Sequence, residues 1–193
     1  LPGVFAMIPD LVEQYFTHPI CKLVTMRCYP WVWQGRIALL GDAAHAVVPF
    51  LGQGMNAGFL DAKCLHDSLI KCDLNWSEAL NTYQVAQKQD ADALSSMSLE
   101  HYHALATPTS KYDHETQRRA NIERALHALL PNSFTPLYEE VAFTTIPYSD
   151  ILEDAKNRES LIDALASHPA IARSSRHKLG QVALERAIQT RLN

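Results

Sequence analysis

The sequence is poor in glycine, and this scarcity removes one common nucleotide-binding signature. The 193 residues include seven glycines, and no Gly-x-Gly-x-x-Gly follows a predicted strand. That motif lets a tight turn approach a pyrophosphate at the start of a helix. Gly52, Gly54 and Gly58 have the wrong spacing and the wrong context for it. The sequence therefore contains no dinucleotide fingerprint of the Rossmann type.

Other absences exclude further classes of protein. The four cysteines show no Cys-x-x-Cys spacing, which favours the reduced thiols of a cytoplasmic protein over a disulfide or metal framework. A net charge of −4 gives no electrostatic footprint for nucleic acid. No segment reaches the roughly 18 apolar residues of a membrane span. These features predict a globular protein without a membrane span or a nucleic-acid partner.

The sequence also lacks the motifs of metal-dependent and nucleophilic hydrolysis. Neither His-Glu-x-x-His nor Gly-x-Ser-x-Gly occurs. His101 and His103 are two positions apart, so on a helix they point to different faces and cannot form a metal pair. We therefore predict no metal site and no covalent catalytic residue.

Periodicity predicts a first third of strands and loops, followed by helices. In chain order, the first third is predicted to contain a helix over 11–16, a strand over 23–29, a buried strand over 36–40, a loop over 43–51 and a helix from Gly52 to about Cys72. The remainder is predicted to contain a long helix capped by Asn75 and ended by Pro108, a helix capped by Ser110 or Asp113 that ends before Pro131, an extended segment over 140–146 and a helix after Ser149.

The residues that carry most functional information run from Gly41 to Asp61, in the string GDAAHAVVPFLGQGMNAGFLD. Asp42 follows a predicted strand, where a carboxylate can cap a turn or accept hydrogen bonds from a ligand. Gly52 and Gly54 let the backbone approach a ligand closely. The N–H groups of the next residues lie in the first turn of a helix, whose positive end favours partial negative charge.

This string resembles the second flavin-contact motif of the class A flavin monooxygenases, and most closely that of the kynurenine 3-monooxygenase family. The similarity covers roughly residues 5–150. Outside the motif it is carried by the segments 8–12, 24–31, 92–95, 99–102, 130–138 and 141–148. The resemblance implies an FAD- and NADPH-dependent aromatic hydroxylase that works through a flavin C4a-hydroperoxide. The reaction it implies converts L-kynurenine to 3-hydroxykynurenine.

By the same resemblance, several residues receive roles in binding FAD. Asp42 is expected to bind the ribityl chain, and the backbone N–H groups of Met55 and Asn56 the isoalloxazine ring. His45 belongs to the motif, and we expect it to bond to the local backbone rather than to act in catalysis. The full expected cofactor set is Gly41, Asp42, Gly52, Gln53, Gly54, Met55 and Asn56.

The resemblance also implies a fold and a domain organisation. The expected fold class is α/β, in the form of an α+β fragment: the C-terminal part of a Rossmann-like FAD-binding monooxygenase fold with a helical C-terminal portion. Residues 1–35 would end the substrate-domain sheet, residues 36–72 would complete the FAD-binding domain, and residues 73–193 would form a helical region. An N-terminal half of the same enzyme, with the Gly-rich fingerprint, is the expected partner.

The substrate side departs from the family pattern. Pro49 and Phe50 are expected to line the substrate face of the flavin, with His101 and Tyr148 in contact with the substrate. The family helix usually reads Asn-Tyr-x-Glu-Met, whereas His101 replaces the Asn, and Ala104 and Leu105 replace the Glu and Met. Two alternatives therefore stay open: hydroxylation of another aromatic acid, and a non-catalytic pseudo-enzyme or assembly module.

Overall fold

The computed structural model describes residues 3, 7–106, 114–131, 133–167, 186 and 188. The first third contains short elements. They are helix α1 (Leu11–Thr17), strands β1 (Val32–Trp33) and β2 (Ile37–Ala38), helix α2 (Asp42–His45) and a 3-10 turn (Pro49–Leu51). Longer helices follow. They are α3 (Gly54–Lys71), α4 (Trp76–Ala106), α5 (His114–Leu129), α6 (Leu137–Phe143) and α7 (Tyr148–Ser167).

The described residues are thus mostly helical, with one small sheet. β1 and β2 form an antiparallel hairpin, in which Val32 pairs with Ala38 and Trp33 with Ile37. The described part of the chain contains no parallel sheet, so the expected Rossmann-like architecture stays a prediction. None of the helices in the described ranges combines the length and apolar character needed to cross a membrane.

Two strand predictions in the first third were wrong. Residues 23–29 do not join a sheet. One backbone hydrogen bond, from the N–H of Met26 to the carbonyl of Ala46 at 2.8 Å, connects this stretch to the residue that follows α2. The predicted buried strand over 36–40 is reduced to Ile37–Ala38, and the Ile37 side chain is 55% exposed. Alternation of apolar residues indicates a strand, but a strand also needs a neighbour to accept its hydrogen bonds.

Two further segments proved more helical than predicted. The expected loop over 43–51 contains α2 and the 3-10 turn. The expected extended segment over 140–146 continues α6 as far as Phe143. Two acidic residues, Glu139 and Glu140, lie in the first turn of α6, where the helix dipole favours negative charge.

Helices α4, α5 and α7 confirm the periodicity argument. Asn75 caps α4 as predicted, because its Oδ1 accepts a hydrogen bond from the Glu78 N–H at 3.4 Å. Ile122 and Leu126, which lie at helical spacing on α5, are fully buried, as is Ile151 of α7. The predicted α5 caps Ser110 and Asp113, and the predicted terminator Pro108, lie outside the described residues.

Helix α4 is the centre of the packing. It contacts α3, α7 and the 3-10 turn. Leu94 and Met97 of α4 are fully buried in a cluster with Leu51 and Ile151. This cluster connects the glycine-rich segment, through Leu51, to the C-terminal helices.

Leu94→Ala should therefore destabilise the chain strongly. Removing a fully buried leucine side chain costs about 2–5 kcal/mol, because transfer free energy is lost and a cavity remains. The matched control is Leu105→Ala on the same helix, where the side chain is 62% exposed and the expected change is within about 0.5 kcal/mol. Denaturant unfolding measures both variants, and equal losses would contradict the packing described.

Candidate functional site

The predicted flavin motif begins at a tightly held turn between β2 and α2. Gly41 has φ 56° and ψ −139°, a conformation that residues with a Cβ rarely adopt. Its carbonyl accepts hydrogen bonds from the N–H groups of Ala44 at 2.8 Å and His45 at 2.9 Å. Its own N–H donates to Asp61 Oδ2 at 2.7 Å. Both polar groups of the Gly41 backbone are therefore held.

Asp61 also holds the imidazole of His45. His45 Nε2 lies 2.6 Å from the same Asp61 oxygen, and both side chains are buried. With Asp61 ionised, this oxygen accepts both contacts and His45 carries a hydrogen on Nε2. The expectation that the His45 side chain bonds to the local backbone was thus wrong: its ring bonds to a carboxylate from α3.

Sequence reasoning did not single out Asp61, although a signal was present. Met55 and Phe59 are apolar residues one turn apart at the start of α3, yet their side chains are 72% and 67% exposed. The buried residues of α3 are Ala57, Asp61 and Ser68. Asp61 follows Ala57 by one turn, so an acidic residue on the small-residue face would have indicated a buried carboxylate.

Aromatic side chains form the floor beneath this pair. The Trp31 ring lies 5.3 Å from the His45 ring and 5.8 Å from that of Tyr83, measured between ring centroids. The Tyr83 hydroxyl donates to the Leu39 carbonyl at 3.1 Å. Burial raises the pKa of Tyr83 well above its ordinary value, and the nearby charge of Asp61 raises that pKa further. The site thus rests on a rigid, largely dehydrated base.

The start of α3 presents free backbone donors near this turn. No side chain caps the helix, and the N–H groups of its first turn have no intrahelical acceptor. A Cβ on Gly54 would lie 3.8 Å from Val47, and a Cβ on Gly58 would lie 3.8 Å from the Gly41 Cα. The loop before α3 therefore packs directly against the helix.

The side chains of the predicted cofactor residues divide into exposed and buried groups. Asp42, Met55 and Asn56 are exposed, which leaves the carboxylate and the first turn of α3 accessible. Gln53 is buried, and its Oε1 accepts hydrogen bonds from Asn56 Nδ2 at 2.7 Å and from the Tyr148 hydroxyl at 3.2 Å. Tyr148 therefore contacts the glycine-rich loop itself.

The predicted substrate residues do not all meet. The rings of Phe50 and Tyr102 lie 4.9 Å apart, at a cavity of about 500 Å³. His101 instead stacks on Tyr138, with ring centroids 6.2 Å apart, and Pro49 is exposed at the start of the 3-10 turn. The residues that line the cavity are Lys22, Leu23, Thr25, Val48, Phe50, Leu99 and Tyr102. Tyr102 was not among the predicted site residues.

The donor set suits an organic cofactor. The residues brought together are an exposed carboxylate, free backbone N–H groups and aromatic rings. Within the described ranges, no group of three or more His, Cys, Asp or Glu side chains could hold a metal ion. All four cysteines are free thiols.

Comparison with known proteins confirms the flavin resemblance. Residues 15–98 match a protein family described as "FAD binding domain". Kynurenine 3-monooxygenase from Flavobacterium psychrophilum is 38% identical over 165 residues, which cover 86% of this chain and 36% of that protein.

Similar relationships hold for enzymes of the same name from other bacteria. The kynurenine 3-monooxygenase of Flavobacterium johnsoniae is 38% identical over 78% of this chain and 33% of that protein. The one from Legionella pneumophila is 30% identical over 85% of this chain and 36% of that protein. The chain spans about a third of the length of these curated relatives.

The buried hydroxyl of Tyr83 makes the stability of the site depend on pH. A pKa raised by burial means that the folded state keeps the proton which the unfolded state releases above pH 10.0, so stability falls as the pH rises beyond that value. Tyr83→Phe loses one hydrogen bond, worth about 0.5–1.5 kcal/mol, but cannot ionise. The difference in the free energy of unfolding between wild type and Tyr83→Phe should therefore become smaller above pH 10.0. Urea unfolding measures this difference. A gap that does not change with pH would contradict this assignment.

Proposed function

We propose that this chain supplies one side of the FAD site and part of the substrate cavity of an FAD- and NADPH-dependent aromatic hydroxylase. The proposal is carried by the exposed Asp42, which follows a turn that Asp61 of α3 holds through Gly41, together with the uncapped first turn of the same helix. The relationship to kynurenine 3-monooxygenases supports it. FAD that is reduced by NADPH and reacts with O2 would supply the hydroxylating chemistry.

The residues of this chain would bind and orient the cofactor. The Asp42 carboxylate can accept hydrogen bonds from the ribityl hydroxyls. The N–H groups of Met55 and Asn56 can donate to the polar edge of the isoalloxazine, where the positive end of α3 stabilises negative charge on a reduced flavin. Gly41, Gly52, Gln53 and Gly54 would shape the backbone around these contacts.

The cavity beside Phe50 is our proposed part of the substrate site. Its walls are largely apolar and include the rings of Phe50 and Tyr102, which suits an aromatic substrate. Among the described residues that line it, Lys22 is the one charged side chain, and an ammonium group can pair with a substrate carboxylate. These features suit an aromatic acid, with L-kynurenine as the first candidate.

His101 and Tyr148 remain proposed substrate contacts that need direct tests. Histidine can donate a hydrogen bond to a carboxylate, as the Asn of the family pattern would. The stacking of His101 on Tyr138 favours instead a role in supporting the wall of the site. A related aromatic acid therefore stays the second candidate substrate.

The first experiment is a visible absorption spectrum after FAD addition and desalting. It is recorded for the chain alone and for the chain mixed with an N-terminal half from a kynurenine 3-monooxygenase. A flavin band retained with the added half supports the proposal and the expected N-terminal partner. Retention by the chain alone supports the flavin site but removes the need for a partner. Folded protein without a band in either sample would make a non-catalytic module the better proposal.

Asp42→Ala should weaken FAD binding in whichever sample retains flavin. The loss of hydrogen bonds to a charged acceptor predicts a Kd at least about tenfold higher. Asp67→Ala is the matched control, because Asp67 is an exposed carboxylate of α3 that pairs with Lys63 away from the turn. Fluorescence titration with FAD measures both, and equal effects would argue against a direct role for Asp42.

Tyr102→Ala should impair substrate use more than His101→Asn. Truncating an aromatic side chain that lines a binding cavity predicts a KM at least about tenfold higher, whereas His101 contacts Tyr138 outside that cavity lining. The readout is substrate-stimulated NADPH oxidation together with hydroxylated product, with L-kynurenine and other aromatic acids compared. A larger effect at His101 would restore the role predicted from sequence. If neither the wild type nor His101→Asn responds to kynurenine, another aromatic acid becomes the candidate.

A further inference from the structure

We infer that Asp61 is the positioning residue of the cofactor turn: through Gly41 and His45 it holds the Gly41–Asp42 peptide in the orientation that presents Asp42 to FAD. The inference deepens the proposed function and rests on it for the identity of the ligand. Asp61 itself is fully buried, so its effect on a cofactor is indirect.

The hydrogen bonds around Gly41 form a closed loop. The Gly41 N–H and the His45 ring both bond to Asp61 Oδ2, at 2.7 and 2.6 Å. The backbone N–H of His45 returns to the Gly41 carbonyl at 2.9 Å. Rotation of the peptide that follows Gly41 would break at least one of these contacts. Asp42 is the next residue, so its position is set by this loop.

The same carboxylate relates the two halves of the proposed cofactor site. Asp61 lies on α3, whose first turn carries the proposed flavin-binding N–H groups. A Cβ added to Gly58, one turn before Asp61, would lie at ordinary van der Waals distance from the Gly41 Cα, so the Gly41 turn lies beside the helix at this point. The bond from Gly41 to Asp61 therefore fixes the Asp42 turn relative to the helix start, and both would meet the same ligand.

The burial of Asp61 gives a physical reason to assign it such a role. A buried carboxylate costs free energy unless it is fully hydrogen-bonded, and within the described residues Asp61 Oδ1 has no hydrogen-bond partner. Both contacts converge on Oδ2 and hold the backbone beside Asp42. An apolar side chain would fill the space but leave the Gly41 N–H without an acceptor.

The experiment begins without any cofactor, on the full chain. Amide hydrogen exchange of Gly41 is measured by NMR in wild type, Asp61→Asn and Asp61→Ala. Asn keeps the side-chain volume but loses the charge, so exchange should accelerate about fivefold; Ala removes the acceptor, and the expected factor is at least about tenfold. The Ala57 amide, which bonds to the Gln53 carbonyl at 2.9 Å, should keep its rate in Asp61→Asn and serves as the internal reference.

Ser68→Ala is the matched control for stability. Ser68 is another buried polar residue of α3, two turns beyond Asp61 and away from Gly41. His45→Gln and His45→Ala add a rescue test, because Gln retains a side-chain donor near the position of Nε2. Gln should restore most of the protection of the Gly41 amide that Ala loses.

FAD titration then separates positioning from simple stabilisation. In the sample that retains FAD, Asp61→Asn should raise the Kd in step with Gly41 exchange, about fivefold, while Ser68→Ala leaves the Kd unchanged. If the Gly41 amide of Asp61→Asn exchanges at the wild-type rate, the inference is overturned. The inference would also be overturned if the Kd rose in proportion to the loss of thermal stability, to the same extent in Asp61→Asn and in Ser68→Ala.

The two hypotheses can fail separately. If the wild-type chain retains no FAD with or without the added half, the proposed function fails. Gly41 exchange still decides the role of Asp61 in that case: acceleration in Asp61→Asn supports the positioning of the turn, and an unchanged rate overturns it.

Discussion

One carboxylate oxygen, Oδ2 of Asp61, is the contact on which the candidate site depends. It joins the turn after β2, through Gly41, to α2, through His45, from a position within α3. The charge of Asp61 also reaches Tyr83 on α4, where it adds to the effect of burial on the pKa of the hydroxyl. Three separate parts of the sequence, around residues 41–45, 61 and 83, therefore meet at one polar centre. Apolar packing alone is non-directional and would not fix the orientation of the peptide next to Asp42.

Helix α4 sets the spacing between the parts of the site. Its 31 residues span about 46 Å at the usual rise. Tyr83 lies under the Gly41 turn, Asp90 accepts hydrogen bonds from Ser149 next to Tyr148, and Tyr102 meets Phe50 at the cavity. The polar turn, the glycine-rich loop and the aromatic cavity thus follow one another along a single rigid element. Such a layout suits an extended ligand better than a compact one.

Sequence reasoning succeeded where the chain determines its structure locally. The period of α5 and α7 and the Asn75 cap of α4 depend on neighbouring residues, and the structure confirms them. The strand over 23–29 failed because pairing depends on a partner that the pattern cannot specify. Local signals in 140–146 conflicted: the acidic first turn of α6 prevailed over the β-branched Val141, and the β-branched residues 144–146 lie beyond the helix. The glycine-rich loop was recognised from its string of residues, whereas Asp61 acts across sixteen or more residues of sequence.

Sequence alone also could not tell which of His101 and Tyr102 lines the cavity. His101 and Tyr102 are adjacent in sequence, and on a helix adjacent side chains point about 100° apart. The resemblance drew attention to His101 because that position departs from the family pattern. The structure directs Tyr102 to Phe50 and His101 to Tyr138, so the replaced residue and the cavity wall lie on different sides of α4. A substitution of Asn by His can then alter how the cavity wall is supported without changing the aromatic surface of the cavity. The departure from the family sequence is therefore weaker evidence for a different substrate than it is when judged from sequence alone.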